Sequence, residues 1–131
     1  MFVKQLSVFI ENREGRLEQV TDVLRQENIN ILSLSMADTT EYGMLRMVVS
    51  DPDRAKDALR EKGFSAMLKD VLAVKLEDKV GALHKMTHIL CSQGLNIEYM
   101  YALASADRRA MIVKASDGDS AGKAILEGGM E

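Results

Sequence analysis

The sequence of 131 residues predicts an α+β protein made of two consecutive units, each an antiparallel sheet with helices on one face. The first observation behind this prediction is a repeat: the turn "ENREGRL" at 11–17 returns as "EDKVGAL" at 77–83. The offset that separates Gly15 from Gly81 holds almost end to end without gaps. The second observation is that β-rich runs and amphipathic segments alternate in the same order in both halves. A constant offset indicates tandem duplication, which decides the architecture before any single element is considered.

The first unit begins with the β-rich run "QLSVFI" at 5–10, which predicts a strand, and the quoted turn follows it. A helix comes next, because its apolar positions share one side of a 3.6-residue repeat and it ends at Asn28. Strands follow at 30–36 and 43–50. Asp51 and Pro52 open a second helix that Gly63 closes, and a last strand is expected near 66–69.

The second unit repeats this order, with strands predicted at 71–76, 96–103 and 109–116 and a first helix that ends at Gly94. Its second helix, from about Asp119 to Glu127, is more weakly marked. The order is strand-helix-strand-strand-helix-strand, for which two helices on one face of a four-stranded antiparallel sheet is the natural arrangement. The predicted boundaries are 1–69 and 70–131.

The second unit lacks a counterpart of its last strand, because the sequence ends at Glu131. The edge beside its first strand would then be unpaired. A second chain could pair with it, the long strand around Asp70 could be shared between the units, or the chain could be shorter than its relatives. We expect self-association, as a homodimer.

Composition limits the classes of function. The net charge of −3 provides no basic surface for a nucleic acid, and no apolar run is long enough for a membrane span. No signal peptide is recognisable, and the single Cys91 excludes an internal disulfide, so we expect a cytoplasmic protein. No phosphate loop, catalytic triad or partnered carboxylate pair is present. The sequence therefore predicts no enzyme and no cofactor.

The repeated turn is coupled to a second repeated spacing: Asn12 precedes Asn30 by the same interval at which Asp78 precedes Asn96. This pattern resembles the ACT domain, an amino-acid-binding regulatory module of ferredoxin-like βαββαβ fold, and is especially similar to the serine-binding tail of phosphoglycerate dehydrogenase. The resemblance implies two tandem ferredoxin-like ACT units. It also implies that Asn12 and Asn30, and likewise Asp78 and Asn96, hold a small amino acid.

Physical chemistry supports such a role, because both charges of a free amino acid must be paired when they leave water. Asn12 or Asp78 can accept from the ammonium, and the amides after Gly15 and Gly81 suit a carboxylate at a helix N-terminus. The predicted ligand-binding residues occupy equivalent positions in the two units: Asn12, Gly15, Arg16, Leu17, Asn30, Ile31, Asp78, Gly81, Ala82, Leu83, Asn96 and Ile97. In a simpler interpretation Asn12 and Asp78 only close the turn and Asn30 and Asn96 only end a loop. Glu14 and Val80 stand where the family often has proline, so the turns should be less rigid.

The sequence-based hypothesis is thus an amino-acid-binding regulatory protein, with its ligand at an interface between ACT units or subunits and an enzyme or regulator as a possible target. The alternative is a ligand-free dimerisation scaffold of the same fold. His84, His88 and Cys91 share one helix stripe that could hold a metal, but Glu18, Asp22 and Arg25 in the first unit are charged. We therefore expect this stripe to be surface or interface, with no metal. Tyr99 and Tyr101 suggest packing rather than RNA binding, which also requires a basic surface.

Overall fold

The computed structural model describes residues 2–11, 13–38, 42–103 and 110–130. Ten elements follow one another along these residues: β1 (Phe2–Glu11), α1 (Arg16–Gln26), β2 (Ile31–Asp38), β3 (Tyr42–Val49), α2 (Pro52–Glu61), β4 (Ser65–Lys75), α3 (Ala82–Ser92), β5 (Ile97–Leu103), β6 (Ala110–Ala115) and α4 (Gly118–Glu127). The predicted order of strands and helices is confirmed, and the fold is the expected α+β class with antiparallel strands.

The chain forms two compact units, one made of Lys4–Lys69 and the other of Met1–Val3 together with Asp70–Glu131. Two long strands, β1 and β4, are therefore each divided between the units. The sequence predicted separate strands at 66–69 and 71–76, but β4 runs through Lys69 and Asp70 without interruption. No glycine or proline interrupts the strand there, so the two predicted strands are one.

In the unit Lys4–Lys69, β3 pairs on one side with β1 and on the other with β2. The β1 register runs from Leu6 opposite Met47 to Glu11 opposite Tyr42. Alternate residues of these strands and the inner faces of α1 and α2 form one apolar core, which contains Leu6, Val8, Ile10, Val20, Val23, Leu24, Ile29, Leu45, Met47, Val49, Ala55, Ala58, Leu59, Phe64 and Ala66. Burial of this apolar face is the main stabilisation of the unit.

The second unit repeats the arrangement, with β6 between β4 and β5. A register shift falls between Ile97 and Tyr99 of β5, and the equivalent shift falls between Ile31 and Ser33 of β2. Its smaller core contains Leu72, Val74, Met86, Leu90, Val113, Ala115, Ala121, Ile125 and Met130. The duplication thus extends to an irregularity of strand pairing, which supports treating the equivalent positions of the two units together.

The second unit has no strand after α4 within the described residues, as predicted, yet β4 is not left unpaired. In the strand order β4 lies between β1 and β6. Phe2, at the start of β1, lies against α4, where a Cβ placed on Gly122 would be 3.5 Å from the Phe2 ring. Of the three possibilities, the long strand shared between the units is the one observed, so this edge gives no reason to expect a second chain.

The two helices of each unit begin in different ways. α2 and α4 are capped by Asp51 and Asp117, whose side chains accept from the backbone N–H groups of Arg54 and Ser120. α1 and α3 follow Gly15 and Gly81 and have no side-chain cap. The longest of these helices have 11 residues, far short of the length that would cross a membrane, and none of the described helices is long and apolar enough to do so.

Candidate functional site

The two glycine corners, defined here as residues 13–17 and 79–83, have the same backbone geometry. Gly15 has φ 84° and Gly81 has φ 88°, both in the left-handed region that glycine adopts without strain. The N–H groups of Arg13 and Lys79 donate to the carbonyls of Glu11 and Glu77, each at 2.9 Å. The sequence therefore repeats "E-x-[RK]-x-G" because the same tight turn is made twice.

Each glycine corner is open on its outer side. A Cβ added to Gly15 or Gly81 would meet nothing within 4 Å, so space for a small molecule lies directly against the backbone. The first N–H groups of an α-helix have no partner inside the helix. At α2 and α4 an aspartate satisfies one of them, whereas at α1 and α3 no described side chain does. The N–H groups of Arg16 and Ala82 donate to the carbonyls of Arg13 and Lys79, at 3.4 and 3.3 Å. The N–H groups of the next residues have no described side chain as a cap and lie at the positive end of a helix dipole, which is a favourable place for a carboxylate.

A local ion pair flanks each corner. Arg13 lies 3.1 Å from Glu11, and Lys79 lies 2.8 Å from Glu77, with all four side chains exposed to solvent. The hydrogen bond and charge of Lys79 lower the pKa of the Glu77 carboxyl. Exposed pairs contribute little stability. Because Lys79 and Glu77 lie on either side of Asp78, their pair favours the turn conformation there.

Of the residues predicted to bind the ammonium group, Asn12 lies outside the described residues, and Asp78 is exposed at its corner. Asn30 and Asn96 are also exposed, and their backbones are fixed in the same way. The N–H of Asn30 donates to Ser50 Oγ at 2.9 Å, and its carbonyl accepts from the Ser50 N–H at 2.9 Å. Asn96 makes the same two bonds with Ser116, at 3.2 and 2.9 Å. Neither asparagine amide has a side-chain hydrogen bond to another described residue.

The corner and the asparagine of one unit lie at opposite ends of its sheet. Glu11, which leads into the first corner, pairs with Tyr42 at the start of β3, whereas Ile31 pairs with Val49 at its end. The strand between these pairs is roughly 24 Å long at about 3.4 Å per residue. In the second unit Lys75 pairs with Ala110 and Ile97 with Ala115, which separates Gly81 from Asn96 in the same way. One small amino acid therefore cannot touch both predicted elements of the same unit.

The neighbours of the corners differ in role. Leu17 and Leu83 are 36% and 43% exposed and face solvent beside the open N–H groups. Ile31 and Ile97 pack against their cores, and Ala82 is buried, so these three serve structure through their side chains. The structure places Ala82 at its corner and Ile31 and Ile97 at their strand ends, as predicted. Because their side chains face the cores, these three residues would contact a ligand through their backbones.

Arg16 distinguishes the two corners. Its guanidinium carbon lies 4.7 Å from the centre of the Phe64 ring, and its Nη1 donates to Gln19 Oε1 at 2.7 Å. Its Nε is buried without a partner among the described residues. Ala82 occupies this position in the second unit, which therefore has no cation at the start of its helix. The two corners have the same backbone geometry, but only the first has a cation at the first residue of its helix.

Comparison with known proteins decides the family. A family model described as an ACT domain pair matches residues 1–131, the whole chain. The protein belongs to the ACT domain pair family. The resemblance read from the turns is thereby confirmed, and so is the tandem ferredoxin-like architecture.

The solved structures most like this ACT domain pair include protein BT0572 from Bacteroides thetaiotaomicron, which is 38% identical with a TM-score of 0.93. That match covers 100% of this chain and 91% of the other. The ligand-free regulatory subunit of aspartate kinase from Thermus thermophilus is 20% identical with a TM-score of 0.65, over 98% of this chain and 97% of that one. The likeness to the Thermus subunit shows a common fold. No curated protein matches the sequence.

Sequence reasoning missed two residues of the ACT pair that bond to the predicted asparagines, Ser50 and Ser116. Each serine bonds to the backbone of one asparagine. The repeat could have revealed them, because the two serines are separated by the same offset as the two asparagines. They were overlooked because each ends a strand and is followed by the aspartate that caps the next helix.

His84, His88 and Cys91 lie on the exposed side of α3, as predicted for a surface stripe. The two imidazole rings are 6.1 Å apart between centroids. Among the residues that the structure describes, no group of three metal-ligating side chains is placed to hold an ion.

Proposed function

We propose that this ACT domain pair is a regulatory module that binds a small free amino acid at its glycine corners. The observation that carries the proposal is the contrast between helices: α2 and α4 have aspartate caps, while at α1 and α3 no described side chain accepts from the first N–H groups, and the outer side of the preceding glycine is open. A free α-carboxylate can accept from these groups where a protein side chain otherwise would.

The ammonium of the ligand needs acceptors as well. The exposed Asp78 carboxylate and the side-chain carbonyls of Asn12, Asn30 and Asn96 are the candidates. Because the corner and the asparagine of one unit lie at opposite ends of the sheet, we propose that the two halves of a site come from different ACT units or subunits. Binding would then favour one association of these parts over others, which is the coupling a regulatory module requires.

The comparisons support a regulatory rather than a catalytic role. One structural neighbour is the regulatory subunit of aspartate kinase. Its name indicates that it regulates an enzyme that acts on an amino acid. We propose by analogy that this chain acts on a partner enzyme or regulator in the cytoplasm, as a homodimer and without a cofactor.

A thermal-shift screen of the twenty amino acids tests the proposal. A specific ligand at 100 times its dissociation constant should stabilise the protein by about 2.7 kcal/mol. The N-acetyl and carboxamide derivatives of the best ligand provide matched controls, because each removes one of the two charges that the site is proposed to pair. We expect both derivatives to lose the shift. If no amino acid raises the melting temperature, the alternative of a ligand-free dimerisation scaffold is favoured.

A further inference from the structure

We infer that Arg16 makes the first glycine corner selective for an amino acid with an acidic side chain, L-aspartate or L-glutamate. The inference rests on the function proposed above, because it names the ligand class of one of the two corners. The second corner has no such preference. The difference follows from how the charged side chains at the two corners are paired.

Arg16 is a cation without a carboxylate partner among the described residues. Of its guanidinium nitrogens, Nη1 donates to Gln19 Oε1 at 2.7 Å, whereas Nε is buried and has no described acceptor. The residue as a whole is half-buried. A charge in such a place is only partly hydrated. An anion that approaches it is therefore attracted more strongly than by an arginine that is fully in water.

The guanidinium of Arg16 is held flat against an aromatic ring. Its central carbon lies 4.7 Å from the centre of the ring of Phe64, which is a buried core residue. Stacking on a ring fixes the plane of an arginine and leaves the nitrogens at the edge of that plane. The terminal nitrogens form a fork that matches the two oxygens of a carboxylate. Arg16 is thus arranged in advance for an acidic group, in addition to the helix N–H groups proposed for the α-carboxylate.

The other cations of the two corners have carboxylate partners. At the first corner Arg13 lies 3.1 Å from Glu11. At the second corner Lys79 lies 2.8 Å from Glu77, and its hydrogen bond and charge lower the pKa of that carboxyl. Within the described corner residues, Arg16 is therefore the cation whose charge is left for a ligand.

The second corner has the opposite balance of charge. Ala82 stands at the position of Arg16, so the cation is missing. Asp78 stands at the position of Asn12, so a carboxylate is added. A second carboxylate on the ligand would be repelled there rather than paired. The two corners thus have the same turn but should differ in the side chain that they accept.

Two carboxylates near Arg16 in sequence, Glu14 and Glu18, do not neutralise it. Both are exposed, and no ion pair joins either of them to Arg16 among the described residues. Glu18 is two residues from Arg16, a spacing at which side chains on a helix do not face each other. Water and salt screen exposed charges, so these two repel an acidic ligand less than the half-buried Arg16 attracts it.

Matched pairs of ligands test the inference, because L-asparagine and L-glutamine are the amides of the two acids and differ from them by one charge. By isothermal titration calorimetry we expect one acid to bind the unchanged protein about tenfold more tightly than its amide, or more. Arg16→Met keeps an apolar chain over Phe64 and should remove this preference. Arg16→Lys keeps the charge without the planar fork and should retain part of it. Arg25→Met removes an exposed cation that is paired with Asp22 at 2.8 Å, and it should leave the preference unchanged.

The outcomes separate this inference from the proposed function. An acid preference that survives Arg16→Met would overturn the inference, and so would an equal loss of affinity for acids and amides, which would mean that Arg16 holds the α-carboxylate. If circular dichroism shows that Arg16→Met does not fold, Arg16→Lys decides, and an undiminished preference in that variant overturns the inference. If a neutral amino acid binds and neither acid binds more tightly than its amide, the proposed function stands and this inference fails. If no amino acid binds, both fail.

Discussion

Asn30 and Ser50 exchange two hydrogen bonds although they are distant in sequence, one from the Asn30 N–H to Ser50 Oγ and one from the Ser50 N–H to the Asn30 carbonyl. Both bonds use the backbone of Asn30, so they fix its position while its amide side chain takes part in neither. Asn96 and Ser116 have the same relationship.

Asn30→Ala should weaken amino-acid binding by about 1–3 kcal/mol, since it removes one polar partner of the ligand. The melting temperature without ligand should change little, because the exposed amide makes no described hydrogen bond. Isothermal titration calorimetry with the best ligand of the screen measures the effect. Asn96→Ala is the matched variant for the second unit, and unchanged affinity in both would place the site elsewhere.

Ser50→Ala should weaken binding less than Asn30→Ala, because it loosens the asparagine backbone without removing the ligand's partner. The Ser50 N–H to Asn30 carbonyl bond remains in this variant, so one of the two ties is kept. A calorimetric comparison of Ser50→Ala, Asn30→Ala and the double variant separates positioning from contact. If the two losses simply add, Ser50 does not act through Asn30.

Gly15→Ala should destabilise the fold by about 1–2 kcal/mol, because an alanine is strained in the left-handed conformation. Its Cβ would enter open space, so steric contact does not add to this cost. Gly118→Ala provides the control: that glycine has no positive φ, and its added Cβ would meet the Phe2 ring at an ordinary 3.7 Å. We expect Gly118→Ala to be neutral or stabilising in urea unfolding. Equal behaviour of the two variants would contradict the assigned backbone strain.

Acidification should remove the contribution of the α4 cap. The Ser120 N–H and hydroxyl donate to Asp117 at 3.1 and 2.9 Å, and these bonds hold the pKa of that carboxyl below its usual 3.8. A pKa lowered in the folded state stabilises the protein above the unfolded value and is lost as the pH falls through the folded value. Asp117→Asn keeps an acceptor that does not titrate. The advantage of the unchanged protein in urea unfolding should therefore be present at pH 7 and shrink below about pH 4.

Phe2→Ala should destabilise the protein by about 1 kcal/mol, the value expected for a half-buried aromatic side chain. The ring is 47% exposed and lies against α4 of the second unit. Phe2→Leu should recover part of the loss, because leucine restores some of the apolar contact. Stability that does not respond to either substitution would show that the start of β1 contributes nothing to the second unit.

Local patterns predicted most of the fold because each element is decided by nearby residues. The apolar spacing of α1, the cap at Asp51 and the left-handed stops at Asn28 and Gly94 all appear in the structure. A long strand continuous through Asp70 was one of the alternatives that the sequence left open, and the structure shows it. The extension of β1 back to Phe2 was missed, since it depends on residues distant in sequence. The structure extends β1 through residues 2–4, where Phe2 packs beside Gly122 of α4.

The site was predicted less completely than the fold. The repeat identified the corners and the asparagines, because equivalent positions keep their chemistry. It could not show that Gly15 and Asn30 lie at opposite ends of β3, since that separation follows from strand register, which no local pattern encodes. The cap at Asp51 was predicted, but the repeat did not show that α1 and α3 have no side-chain cap from the described residues, the other half of the contrast on which the proposed function depends.

The contact of Phe2 with α4 has a consequence for synthesis. Phe2 packs beside Gly122, so a ribosome must release the chain as far as Gly122 before the first strand can reach all its neighbours. The leading half can form its own core while the remainder emerges, but the Phe2 ring cannot pack against α4 until α4 has emerged. A gene divided at the repeat boundary would give a trailing fragment without this ring, and we expect that fragment to recover its stability when the leading fragment is supplied in trans.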